Sequence, residues 1–200
     1  MLKRLNDKIN KLLDKHKLRS LKDVFFFIVI TLVIHFSWRA WARELHYYPI
    51  EEWMREAGNF MAYVVFIQSS WFVDHILGIE FRTEGQTMYF GNTGYIAVNA
   101  GCSGLKLFVQ YTLLIMLFPG PWKKKLWFIP MGIVIIHITN LFRIIGLSVV
   151  VTNWPSQWDF SHDWLFRPFF YVVIFTLWVI WVERTGRKMP NKKPQIPNKF

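Results

Sequence analysis

The chain has 200 residues, of which 53% are hydrophobic and 18% aromatic, and its formal net charge is +11. This length suits one domain, and the apolar fraction is too high for an ordinary soluble protein. The basic residues concentrate in the N-terminal segment, in Lys123–Lys125 and in the C-terminal tail, all beside apolar runs. This distribution favours membrane orientation and contact with anionic lipids, and it argues against nucleic acid as a partner.

Residues 1–23 are basic and carry apolar residues at nearly helical spacing. The pattern predicts an amphipathic segment on the membrane surface, with a solvated helix as the alternative. The first apolar run begins only after these charges, and no small-residue cleavage site follows it. It is therefore predicted to be a retained anchor and not a signal peptide.

Five apolar segments follow, over about residues 24–42, 57–77, 103–119, 126–151 and 164–182. Because about twenty residues cross a bilayer as a helix, the sequence predicts an all-α polytopic membrane protein with four to five transmembrane helices. Residues 24–183 are predicted to form its membrane-embedded catalytic domain. The loop over 152–163 is rich in tryptophan, and 184–200 is predicted to be a basic, disordered tail.

A different pattern precedes the third of these segments. Thr87–Phe90 and Tyr95–Val98 are short β-prone runs that flank Gly91–Gly94. Glycine supplies the positive φ angles of tight turns, so this region predicts a small external β-hairpin before the third long helix.

The basic clusters also predict topology. With Lys123–Lys125 and the C-terminal tail in the cytoplasm, Cys102, Arg143 and His162 all lie on the external side. The N-terminal half conflicts with this scheme, because five complete spans would place the basic N-terminus outside. An internal N-terminus, with segment 57–77 re-entrant or interfacial, is the alternative that we favour.

Cys102 is the single cysteine, which excludes an intrachain disulfide and a multi-cysteine metal site. We expect no metal and no cofactor. The thiol lies at the predicted N-terminal end of a helix, where the helix dipole favours negative charge, and Lys106 is expected on the same helix face. Gly101 and Gly104 would allow an extended substrate to approach closely. A small packing residue is the alternative for a lone cysteine.

Arg143 is the residue that costs most to place in an apolar segment. His137, Asn140 and Arg143 are spaced i, i+3 and i+6, so they form one stripe that is expected to face the bundle interior. An arginine within a membrane segment is usually paired or functional. The alternative is an arginine that extends to the outer headgroups.

His162 lies between Trp158 and Trp164 at the membrane boundary, and Asp159 and Asp163 are close enough in sequence to orient it. A boundary histidine beside tryptophans can also be simply interfacial. Together, however, the three residues supply a complete acyl-transfer chemistry. Cys102 would be the nucleophile, Arg143 would stabilise the oxyanion and His162 would transfer protons.

Three motifs resemble the exosortase/archaeosortase family in order and spacing. They are Cys102–Lys106 (Cys-Ser-Gly-Leu-basic), Asn140–Ile144 (Asn-Leu-Phe-Arg-Ile) and the boundary His162. The resemblance covers roughly residues 57–183, and the final apolar segment is similar to the compact form found in Bacteroidetes-type bacteria. The chain departs from the family at Lys106, where arginine is common, and in length, since many members have about eight spans.

The resemblance implies a polytopic thiol protease and transpeptidase of the bacterial inner membrane, with its active site on the external, periplasmic side. Its catalytic residues would be Cys102, Arg143 and His162, and Lys106, Asn140, Gly101 and Gly104 are tentative substrate-binding residues. Its partners in protein sorting would be exported proteins that end in a short motif, a transmembrane helix and a basic tail. The competing hypothesis is a non-catalytic membrane assembly factor or transporter subunit.

Overall fold

A computed structural model describes residues 19–44 and 50–186. The chain forms two compact units, Met1–Tyr48 and Pro49–Phe200. In the first unit the described part is one helix, α1, over Arg19–Glu44. The predictions for the N-terminal amphipathic segment before residue 19 and for the tail after 186 lie outside the described residues. The single catalytic domain over 24–183 stays a prediction.

The second unit combines four helices with a small sheet. Its elements in chain order are α2 (Ile50–His75), β1 (Arg82–Glu84), β2 (Thr87–Phe90), β3 (Gly94–Ala97), a 3₁₀ turn (Ala100–Cys102), α3 (Leu105–Leu117), α4 (Trp122–Asn153), a second 3₁₀ turn (Pro155–Gln157), a π-helix (Phe160–Phe166) and α5 (Arg167–Gly186). Among the helices of this unit, α4 packs most extensively against α2 and α3. Helix α4 is thus the central element of the unit.

Two helical stretches of the described chain are long and apolar enough to cross a membrane, Trp122–Asn153 and Phe160–Thr185. Val24–Ala40 and Leu105–Leu117 are apolar but shorter. At 1.5 Å per residue, the 13 residues of α3 extend about 20 Å, less than the roughly 30 Å hydrocarbon core. The two long apolar helices support the prediction of a helical membrane protein. The count of four to five spans stays a prediction.

The predicted hairpin is present and is part of a larger sheet. Strands β2 and β3 pair antiparallel, with Met88 opposite Ile96, and β1 adds a third antiparallel strand that the sequence analysis missed. One face is buried through Met88, Phe90 and Ile96, whereas Tyr89 and Tyr95 are exposed on the other. The buried face joins the core that α2 and α4 share.

Helices α3 and α4 form a helical hairpin. Lys125, in the first turn of α4, is buried and donates hydrogen bonds to the carbonyls of Met116 and Phe118, at 2.8 and 2.6 Å. It therefore caps the C-terminal end of α3. Tyr111 donates to the carbonyl of Phe128 across the same pair of helices. The basic cluster consequently lies at the opposite end of α3 from Cys102.

The prediction for the segment before α5 is wrong. A tryptophan-rich loop was expected over 152–163, but α4 extends to Asn153 and a π-helix covers Phe160–Phe166. His162 therefore lies within a helix. Single π-helical turns of this kind occur frequently at functional sites.

The outer surface of the second unit is apolar. Large hydrophobic side chains remain exposed on α4 and α5, among them Val134, Ile138, Phe142, Phe169 and Val172. An exposed apolar surface of this extent would be unfavourable in water and suits contact with lipid.

Candidate active site

Cys102 ends the short turn between the sheet and α3. Its backbone N–H donates to the carbonyl of Asn99 at 2.8 Å, and the side chain of Asn99 accepts the N–H of Gly101 at 2.9 Å. The sulfur lies 3.9 Å from the carbonyl oxygen of Ala97, the last residue of β3, and the side chain is partly exposed. The turn thus fixes the cysteine backbone and leaves its thiol accessible.

The prediction that Cys102 and Lys106 lie on the same helix face is wrong. Helix α3 begins at Leu105, and its N-cap Gly104 has a left-handed backbone with φ +80°. Because this residue interrupts the helical path, Cys102 precedes the helix and does not share a face with Lys106. The hydroxyl oxygen of Ser103 accepts the N–H of Leu105 at 3.2 Å.

Asn140 connects α4 to the cysteine turn. Its side-chain amide donates to the carbonyl oxygen of Cys102 at 2.7 Å, and the residue is only 1% exposed. A Cβ added to Gly104 would lie 3.4 Å from the Asn140 amide nitrogen, so the glycine leaves room for this contact. The substrate-binding roles of Asn140, Gly101 and Gly104 stay predictions, and Asn140 has the cysteine backbone as its partner here.

Arg143 and His162 are in direct contact. Nη2 of Arg143 lies 2.9 Å from Nε2 of His162, and Nδ1 of His162 lies 2.7 Å from Oδ1 of Asp163. A guanidinium group can only donate hydrogen bonds, so Nε2 must accept. The Nδ1–H then donates to the carboxylate, which assigns the ring as the neutral Nδ1–H tautomer.

Two aromatic rings border this pair. The indole of Trp158 stacks on the His162 ring with centroids 5.6 Å apart and an interplanar angle of 12°. The guanidinium of Arg143 lies over the ring of Phe170, 5.9 Å from its centroid. The arginine is therefore directed toward the protein and does not extend to the headgroups.

The polar stripe on α4 contacts a different element at each of its three positions. His137 bonds Gln68 of α2 at 2.7 Å, Asn140 holds the cysteine turn and Arg143 holds the π-helix. The expected inward-facing stripe is therefore confirmed, and one helix arranges the site.

The three predicted catalytic residues occupy one region. Helix α4 links them, because Asn140 holds the backbone of Cys102 and Arg143, three residues further along the helix, bonds His162. The Nε–H of Arg143 is buried and has no hydrogen-bond partner within the described part of the chain. Since unpaired buried donors are rare, this group is a candidate for binding an oxygen of a substrate.

A sequence profile described as transmembrane exosortase (Exosortase_EpsH) matches residues 24–181. The chain belongs to the transmembrane exosortase family. No curated protein and no solved structure gives a significant match. Family membership and the two long apolar helices together place this exosortase in a membrane.

Some contacts of this exosortase site were not anticipated. Arg167 bonds Oδ1 of Asp163 at 3.1 Å, and Asn99 supports the turn that carries the thiol. The Asp163–Arg167 spacing of i, i+4 is a signal that the sequence offered, since such residues are neighbours on a helix. The Asn99 contact had no comparable signal, because it depends on the local shape of a turn.

Proposed function

We propose that this chain is a membrane-embedded cysteine peptidase and transpeptidase that cleaves C-terminal sorting signals from exported proteins. The observation that carries the proposal is the 2.9 Å contact between Arg143 of α4 and His162. The same helix holds the backbone of Cys102 through Asn140. Membership of the exosortase family supports this reaction class. The substrates are exported proteins with a short motif, a transmembrane helix and a basic tail.

The first half of the reaction forms a thioester. Nε2 of His162 accepts the proton of the Cys102 thiol, and the thiolate attacks the carbonyl carbon of the scissile peptide bond. The oxygen then carries a negative charge, which the guanidinium of Arg143 stabilises. When the C–N bond breaks, His162 returns the proton to the leaving amine.

The second half of the reaction releases the processed protein. An acceptor amine, or water in its place, attacks the thioester carbonyl and transfers a proton to His162. Arg143 again stabilises the oxyanion. The C–S bond then breaks, and the Cys102 thiolate recovers a proton from His162, which restores the starting state.

Arg143 has enough hydrogen-bond donors to contact both His162 and an oxyanion of the substrate. One of its N–H groups already binds Nε2 of His162, while its buried Nε–H has no protein acceptor within the described residues. A guanidinium carries five N–H donors. It can therefore bind an oxyanion while remaining beside the histidine, and its hydrogen bond to Nε2 has to open when that nitrogen accepts the thiol proton.

The proposed location is the bacterial inner membrane, with the site on the external side. Cys102, Arg143 and His162 lie at the end of the α3–α4 hairpin opposite Lys123–Lys125. Lysines beside a membrane segment favour the cytoplasmic side. This orientation gives the site access to exported proteins after they have crossed the membrane.

Cleavage can be tested with tagged exported proteins from the same cell that end in an apolar helix and a basic cluster. The wild-type chain and the Cys102→Ala variant are compared at equal membrane abundance, and the new carboxyl end is located by mass analysis. Covalent adducts of the wild-type chain are then treated with neutral hydroxylamine, which cleaves thioesters. We expect processing and a hydroxylamine-sensitive adduct only when Cys102 is present.

Two outcomes would contradict the proposal. Full processing by Cys102→Ala, or no chain-dependent processing of any such protein, would remove the catalytic role. A non-catalytic assembly factor would instead retain its function with Cys102→Ser.

A further inference from the structure

The imidazole of His162 is bonded at both of its nitrogens. Nε2 faces Arg143 at 2.9 Å, and Nδ1 faces Oδ1 of Asp163 at 2.7 Å. The distance to Asp163 is typical of a charge-assisted hydrogen bond. The carboxylate therefore determines which nitrogen carries the hydrogen and which has the free electron pair.

We infer that Asp163 is a positioning residue that holds His162 in the tautomer required to accept the thiol proton of Cys102. This inference rests on the proposed function. With the proton on Nδ1 bonded to the carboxylate, the electron pair of Nε2 is directed toward Arg143 of α4, the helix that also holds the Cys102 backbone through Asn140. Without the carboxylate, only the Arg143 contact would keep the hydrogen off Nε2, and that contact has to open for proton transfer. With the hydrogen on Nε2, the ring could not act as a base from this nitrogen.

The carboxylate acts a second time after proton transfer. His162 then carries a positive charge beside the cationic Arg143, an arrangement that electrostatic repulsion disfavours. The negative charge of Asp163 offsets this repulsion from the opposite side of the ring. Asp163 thus supports the charged intermediate without contacting the substrate.

Asp163 is itself held in place. Nη1 of Arg167 lies 3.1 Å from the same Oδ1 that receives the His162 hydrogen, and Trp158 stacks on the ring and fixes its plane. The side chains of Asp163 and Arg167 are 47% and 60% exposed. Solvent weakens interactions at such exposure, so the effect of Asp163 should be smaller than that of a buried catalytic aspartate.

Asp159 provides a matched control. It is an exposed carboxylate on the same helical segment, three residues before His162, but the described contacts of the imidazole are with Arg143, Asp163 and Trp158. Its replacement removes the same charge from the same membrane boundary. Any difference between the two aspartates therefore reflects the contacts of Asp163 with His162 and Arg167.

The test measures processing of a reporter that the wild-type chain cleaves, using Asp163→Asn, Asp163→Glu and Asp159→Asn at equal membrane abundance. In the serine-protease triad, replacement of the buried aspartate by asparagine lowers kcat about 10⁴-fold. For the more exposed Asp163 we expect a fall in kcat on the order of 10²-fold, with KM within about twofold of wild type. Asp163→Glu should recover at least about tenfold of the loss, and Asp159→Asn should resemble wild type.

Equal activity of Asp163→Asn and Asp159→Asn would overturn the inference. So would a loss that appears in KM or in membrane abundance and that glutamate does not recover, because this pattern indicates a structural role. Either result, with Cys102→Ala and His162→Ala still inactive, leaves the proposed function intact. Full activity of Cys102→Ala would instead reject the proposed function itself.

Discussion

The side-chain amide of Asn140 and the carbonyl oxygen of Cys102 form a 2.7 Å hydrogen bond that joins the two central sequence motifs. Asn140 is almost fully buried, so water cannot replace its amide if the side chain is lost. Leaving this partly buried carbonyl without its donor costs up to about 1–3 kcal/mol. The turn that carries the thiol can avoid part of this cost by shifting, which would displace Cys102 from Arg143 and His162.

Asn140→Leu should therefore lower processing more than it lowers stability. Leucine has a similar size but no donor, and we expect a fall on the order of 10–10²-fold, since misplacement of a reacting group by about 1 Å can cost 10²-fold. Ser148→Ala is the control, because this buried hydroxyl donates to the carbonyl of Ile144 in its own helix. The measurement is processed reporter per folded enzyme. Equal effects of the two substitutions would show that the Asn140 contact does not position the cysteine.

Gly104→Ala tests whether crowding at the cysteine turn matters beyond backbone strain. An added Cβ would lie 3.3 Å from the Phe108 ring and 3.4 Å from the Asn140 amide, at a φ of +80°. Gly85 also has positive φ, +58°, but open space around the same position. Both alanines should lose about 1–2 kcal/mol of stability from the left-handed backbone.

Only Gly104→Ala should also reduce processing, by roughly tenfold or more, because the site tolerates little displacement. Thermal unfolding in detergent gives the stability of each variant, and reporter processing gives its activity. If Gly85→Ala lowers processing per folded enzyme equally, the crowding at Gly104 has no special role.

Much of the fold could be predicted from the sequence, because the residue patterns that indicate its helices and its hairpin are local. The apolar runs predicted the helices, and Gly91–Gly94 between β-prone runs predicted the hairpin that β2 and β3 form. Strand β1 was not predicted, because Arg82, Thr83 and Glu84 are all exposed and show no alternating pattern. Its pairing depends on β2 and not on its own residues.

The sequence predicted which face of α4 carries the candidate site residues, but it did not predict all of their contacts. The i, i+3, i+6 spacing placed His137, Asn140 and Arg143 on one face of α4, as the structure confirms. In contrast, the choice between Asp159 and Asp163 could not be made. Adjacent residues on an α-helix do not face each other, which would have favoured Asp159 at i−3, but His162 lies in a π-helix and bonds Asp163.

Arg143→Lys separates charge from geometry at the proposed oxyanion site. Lysine keeps the positive charge but lacks the planar set of donors that can serve His162 and an oxyanion together. We expect processing to fall about 10²–10³-fold, the usual effect of losing one oxyanion donor. Arg184→Lys, an exposed change near the end of α5, should have no measurable effect. Near-normal processing by Arg143→Lys would mean that positive charge alone is sufficient.

The orientation of the site can be tested with the single cysteine. The thiol of Cys102 is partly exposed and lies at the opposite end of α3 from Lys124, which is also exposed. Because positive charge favours the cytoplasmic side, Cys102 should face outward and Lys124 inward. A membrane-impermeant maleimide applied to intact spheroplasts should therefore label the wild-type chain.

The matched control is the double variant Cys102→Ala, Lys124→Cys, which moves the only thiol to the other end of the helical hairpin. This variant should be labelled only after the membrane is permeabilised. The difference depends on position and not on reagent, since each protein carries one cysteine. Labelling of position 124 in intact spheroplasts, with none at Cys102 until permeabilisation, would reverse the orientation and place the site in the cytoplasm, where proteins that have already been exported could not reach it.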